Sequence, residues 1–148
     1  MQHKILNIIL ADDDEDDRDI FEQALNETKF KTNLKCFENG LSLINYLRKN
    51  KTNLPDLIFL DLNMPSMDGF ECLEEIKKDP GLKDLTVIIY STSSSEKDIE
   101  RVFVAGANIY LNKPYDFEKL IKILQKILVL DWQNQNSQFS RETFLYKL

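Results

Sequence analysis

An α/β fold, a five-stranded parallel sheet doubly wound with helices on both faces, is predicted by three features of this 148-residue chain. Short apolar segments alternate strictly with helix-like segments from residue 4 to residue 130. Several of the apolar segments are nearly continuous β-branched and aliphatic runs, as in strands covered on both faces. Turn-forming residues punctuate the boundaries.

The predicted strands span 4–11, 33–38, 56–61, 86–91 and 109–112. The predicted helices span 15–28, 40–50, 69–78, 96–104 and 116–130. The first, third and fourth strands carry the continuous apolar runs. Asn39-Gly40 ends the second strand, and Pro55 precedes the third. Asp79-Pro80-Gly81 stops the third helix. Asp116 is placed to cap the last helix. In that helix Leu120, Ile121, Ile123, Leu124, Ile127 and Leu128 form one apolar face. Five such units favour the flavodoxin-like strand order 2-1-3-4-5, with the ligand site beyond the carboxyl ends of strands one and three.

Composition narrows the function. The chain is 43% hydrophobic and 30% charged, with a net charge of −6, which argues against nonspecific nucleic-acid binding. Cys36 and Cys72 lie in apolar-rich segments without metal-ligand spacing and read as buried free thiols of a reducing cytoplasm. The N-terminal ten residues are too short and interrupted for a signal peptide. Lys122, Gln125 and Lys126 break the apolar stretch at 120–130, so it is not a membrane span. His3, the single histidine, is given no role.

Four polar sites follow the apolar runs: Asp12-Asp13 after I-I-L-A, Asp61 after L-I-F-L, Ser91 after V-I-I-Y, and Lys113-Pro114 after I-Y-L-N. The predicted order brings Asp12, Asp13 and Asp61 into one pocket. Carboxylates that close raise one another's pKa, and a hard cation relieves the conflict. Mg²⁺ takes one or two carboxylates together with water and phosphate oxygens. A carboxylate can also attack a phosphoryl group to form an acyl phosphate. Asp61 is thus the candidate phosphoacceptor. Lys113 supplies a second positive charge, and Ser91 a hydrogen bond to a phosphoryl oxygen. Asp14, Glu15, Asp16 and Asp17 read instead as acids that favour a helix N-terminus.

With these residues in place, the chain resembles the response-regulator receiver domain of two-component signalling over residues 4–130. The matching motifs are D-D after the first strand, D-L-N-M-P-S-M-D-G around Asp61, Y-S-T after the fourth strand and K-P after the fifth. The resemblance implies phosphorylation of Asp61 with Mg²⁺. It also implies Asp13 as a direct metal ligand, Asp12 acting mostly through water, and the backbone carbonyl of Asn63 completing the set. Tyr110 occupies the family's switch position, and its ring is expected to turn from solvent toward the core as Ser91 engages the phosphoryl group. The Lys113–Pro114 bond is expected to be cis. Asn63 and Ser93 are expected to flank the water that removes the phosphoryl group. The implied partners are a histidine kinase or phosphotransfer protein and an unidentified downstream protein. The implied catalysis is limited to the chain's own phosphorylation and slow dephosphorylation.

Residues 1–130 are thus expected to form the receiver, with no room for an output domain after them. The acidic cluster, the S-T-S-S-S loop and the tail are similar to those of stand-alone receivers of the cyanobacterial phytochrome-partner type. Residues 131–148 carry Trp132, Phe139, Phe144, Leu145 and Tyr146 after a polar stretch. They are expected to be an ordered interaction element, packed on their own domain or on a partner, including a second copy in a homodimer. Two other readings compete. A pseudo-receiver would bind partners without phosphorylation. A haloacid-dehalogenase-like phosphohydrolase would need a second Asp where Asn63 stands.

Overall fold

The computed structural model describes residues 4–130 and the backbone of Leu145–Tyr146. Ten elements alternate along the first segment: β1 Leu6–Ala11, α1 Glu15–Glu27, β2 Thr32–Phe37, α2 Gly40–Lys49, β3 Leu57–Leu60, α3 Gly69–Lys78, β4 Val87–Ser91, α4 Glu96–Val104, β5 Ile109–Asn112 and α5 Phe117–Leu128. All strand pairs are parallel, and the first five strands lie in the order β2-β1-β3-β4-β5. The doubly wound architecture is as expected.

A sixth strand, β6 (Leu145–Tyr146), was not anticipated. It pairs in parallel with β5, Leu145 opposite Tyr110 and Tyr146 opposite Leu111. The rest of the expected interaction element at 131–148 lies outside the described residues.

Two apolar layers sandwich the sheet, because strands buried on both faces send alternate side chains to opposite sides. Ile9, Ile58, Leu60 and Ile89 pack with Leu43, Leu47, Leu73, Ile76 and Val102 of α2, α3 and α4. Ile8, Leu10, Phe59, Tyr90 and Leu111 pack with Phe21, Leu25, Leu120, Leu124 and Ile127 of α1 and α5. All six apolar residues assigned to the inner face of α5 are buried. Cys72 is buried as expected, but Cys36 is exposed. It lies on β2, an outer strand of the sheet, where neighbouring layers do not close over both faces.

The helix starts are capped by side chains. Asp14 accepts the amide of Asp17, Ser95 that of Asp98, and Asp116 that of Glu118. Asp68 and Glu71 form a reciprocal capping box at α3. Gly69 sets how close α3 comes to β3: its amide donates to the carbonyl of Leu62, and a Cβ there would collide with the backbone carbonyl of Asp61.

Candidate functional site

The site is built from three strand ends. Asp12 and Asp13 follow β1, Asp61 follows β3 and Lys113 follows β5. Parallel pairing aligns these ends, so the acids meet as the strand order requires. One carboxylate oxygen from each of Asp12, Asp13 and Asp61 lies within 4.8 Å of the others. Octahedral Mg²⁺ binds oxygens at about 2.0–2.1 Å, so oxygens on neighbouring corners stand about 3 Å apart and opposite ones about 4 Å. All three offer the hard oxygen donors that Mg²⁺ takes. Asp12 and Asp61 are buried and Asp13 is exposed, so the pocket has a closed floor and an open mouth.

Lys113 closes the pocket from β5. Its ammonium donates to Asp12 Oδ2 at 2.8 Å, Asp17 Oδ2 at 2.9 Å and Asp61 Oδ2 at 3.2 Å. Burial pushes the lysine pKa down, but the bonds to Asp12 and Asp17 overcome this, and it rises above its ordinary value. Asp61 behaves in the opposite sense for a carboxylate. Burial pushes it up to about 6, and Lys113 only partly offsets this. A carboxylate held above its ordinary range is poised to gain from any positive charge that arrives.

Asp12 has both oxygens engaged, Oδ1 by the amide of Asp14 at 3.0 Å and Oδ2 by Lys113. Asn63 is exposed, and its amide donates to Asp61 Oδ1 at 3.4 Å. The loop before α1 is held from behind by Arg18, which donates to the carbonyl of Asp12 at 2.8 Å. Under the pocket lie three rings, Phe21, Phe59 and Tyr90, with centroids 4.9–6.4 Å apart in edge-on contacts. The Lys113 ammonium sits 5.3 Å from the Tyr90 ring.

Over residues 8–125 the chain matches the response regulator receiver domain family. The chain belongs to this family. It is 32% identical over 124 residues to response regulator Rcp1 of Synechocystis, with 81% of this chain and 84% of Rcp1 covered. The structure of Mn²⁺-bound Rcp1 superposes with a TM-score of 0.73 at 29% identity, covering 91% of this chain and 97% of that one. That of the phosphorylated cyanobacterial phytochrome response regulator RcpA gives 0.75 at 32% identity, covering 94% and 98%. Receiver domains as a family are phosphorylated on an Asp and bind Mg²⁺ or Mn²⁺ at an acidic pocket.

Within this receiver, some expected residues sit where predicted and others do not. Ser91 is fully buried at the end of β4, next to Lys113, whose amide donates to the Ser91 carbonyl at 2.8 Å. The Ser91 hydroxyl accepts the Ser93 amide at 3.1 Å. Tyr110 is not on the solvent side: it is 1% exposed, and its hydroxyl donates to the carbonyl of Ser93 at 2.8 Å. That carbonyl satisfies the phenol inside the fold, so the ring is stable inward without a phosphoryl group. The Ser93 hydroxyl donates to Asp98 of α4 at 3.0 Å and accepts the Ser95 amide at 3.3 Å. The Lys113–Pro114 bond is trans, since no peptide bond among the described residues is cis. Trans is the lower-energy isomer by about 0.5–1 kcal/mol, and Lys113 reaches all three carboxylates with it.

Asp17 is the site residue that sequence reasoning passed over. Within the acidic run its charge reads as that of a helix-start acid. A signal was available: Phe21, Ala24 and Leu25 form the buried stripe of α1, and one turn back from Phe21 that stripe reaches residue 17.

Proposed function

We propose that this chain is a single-domain response regulator that accepts a phosphoryl group on Asp61, with Mg²⁺, from a histidine kinase or phosphotransfer protein. The observation that carries this reading is the convergence of Asp12, Asp13, Asp61 and the Lys113 ammonium at the strand ends. A carboxylate oxygen of Asp61 attacks phosphorus. The bond from phosphorus to the donor's nitrogen or oxygen breaks, and the donor leaves with the electron pair. Asp13 and Asp61, with Asp12 through water and the Asn63 carbonyl, would hold Mg²⁺, which would neutralise the phosphoryl charge. Lys113 holds a positive charge against the same oxygens.

Loss of the group is slow and self-catalysed. Water attacks phosphorus, the Asp61 carboxylate is regenerated and inorganic phosphate leaves. Asn63 stands at the mouth and can orient water without acting as a base, and Asn at this position removes the acid/base a phosphohydrolase would need. The output is a change of surface around α4, β5 and α5. Ser91 moves from the Ser93 amide to the phosphoryl group, and the loop held by Tyr110 rearranges with it. The protein works in the cytoplasm, pairing with a kinase and a downstream protein. No helix among the described residues is long and apolar enough to cross a membrane.

Acetyl phosphate with Mg²⁺ tests the assignment by intact mass. The chain is expected to gain one phosphoryl group, lost in Asp61→Asn. Stable labelling of that variant at another residue would refute the assignment.

A further inference from the structure

We propose that Asp17 is the positioning residue for Lys113, setting the ammonium on Oδ2 of Asp61 before a phosphodonor arrives. The inference rests on Asp61 being the phosphoacceptor. An ammonium has three N–H donors, and in Lys113 each has a carboxylate: Asp12, Asp17 and Asp61. Two of those acids belong to the cation pocket, but Asp17 does not. When a divalent cation draws on Asp12 and Asp61, the bond that Lys113 donates to Asp17 is the one that does not compete with it.

The chain builds Asp17 as a fixed point. Its amide is held by the Asp14 cap at 3.1 Å, and the next residue, Arg18, is tied to the Asp12 carbonyl at 2.8 Å. One turn on, Phe21 is fully buried against the rings of Phe59 and Tyr90. The helix end therefore cannot swing away from the sheet. Lys113 needs such a stop because its four-carbon stem is flexible. Tyr90 bounds it on one side, and Asp17 on the other. Without Asp17 the ammonium keeps Asp12 as its shorter bond and is no longer centred on Asp61.

Phosphorylation and dephosphorylation place the same phosphoryl group, in flight, beside the same Asp61 oxygen. A misplaced Lys113 must therefore slow both. Capture of the donor, which the outer pocket governs, is left alone.

The test compares Asp17→Ala and Asp17→Asn with Asp16→Ala, which removes the same charge from an exposed neighbour. Acetyl phosphate is the donor, at saturating Mg²⁺. Asp17→Ala is expected to lower the maximal phosphorylation rate and the dephosphorylation rate together, by about tenfold, the lower range for loss of an orienting partner. The half-saturating acetyl phosphate concentration is expected to stay within about twofold, since uniform binding is not touched. In the metal-free protein the ¹⁵Nζ–¹H signal of Lys113 is expected to shift and broaden. Asp17→Asn, which keeps shape and an acceptor, is expected to fall between, and it carries the test if the alanine variant does not fold. Asp16→Ala is expected to match the unmodified chain. If the Asp17 variants match Asp16→Ala, or if only one of the two rates changes, the inference is overturned while the phosphoacceptor reading stands. If the unmodified chain takes no phosphoryl group, both are overturned.

Discussion

Asp61 carries a cost that follows directly from its burial. It is 6% exposed, and burial holds its carboxyl at about 6 against an ordinary 3.8. The folded state thus binds the proton more tightly than the unfolded chain. The stability it contributes is complete below about pH 4 and is lost as pH rises through 6. Above that range, without a divalent cation, Asp61 opposes folding. Asp61→Asn is expected to be more stable than the unmodified chain by about 1 kcal/mol at pH 7.5 in metal-free urea unfolding. This is less than the full shift implies, because Lys113 stays on the carboxylate. The gain is expected to vanish near pH 4 and to shrink when Mg²⁺ is added. A gain that grows toward acid would show that Asp61 is not held above its ordinary range.

At the scale of elements, what could be read from the sequence depended on whether a signal was periodic or positional. The continuous runs of β1, β3 and β4 and the apolar face of α5 survived into the fold because burial on both sides, or on one stripe, writes itself into residue spacing. Asp12, Asp13, Asp61 and Lys113 were legible because strand ends in a parallel sheet converge whatever the loops do. Three features were not legible. Two residues of β6 make no periodic run. Exposure of Cys36 depends on β2 being outermost, which no local pattern encodes. The inward Tyr110 depends on where the loop after β4 presents the Ser93 carbonyl. That contact predicts that Tyr110→Phe costs about 1 kcal/mol and raises amide hydrogen exchange across residues 93–98, with little change at α1. Gly69 carries a second prediction, since α3 packs through it onto the Asp61 backbone. Gly69→Ala is expected to cost about 1–3 kcal/mol in urea unfolding and to slow phosphorylation of Asp61. Gly81→Ala meets only the flexible Lys51 side chain and is expected to leave phosphorylation unchanged.

For the whole molecule, the decisive feature is the edge of the sheet beyond β5. An uncovered parallel edge presents unpaired N–H and C=O groups and invites another strand. Here β6 covers part of it, opposite Tyr110 and Leu111. These residues lie between the loop that answers the phosphoryl group and Lys113. The chain after residue 130 is therefore joined to the surface the switch is proposed to change. Truncation after Leu130 removes β6 and reopens that edge. The expected outcome is a loss of about 1–2 kcal/mol, from two backbone pairings with net hydrogen bonds of about 1 kcal/mol each, at unchanged mass in solution. Because β6 pairs with β5 of its own chain, unfolding of the full chain is expected to be independent of protein concentration. A midpoint that rises with concentration, together with a fall from dimer to monomer on truncation, would instead place β6 on a second copy. Equal stability and equal mass with and without residues 131–148 would mean that β6 contributes nothing to the fold.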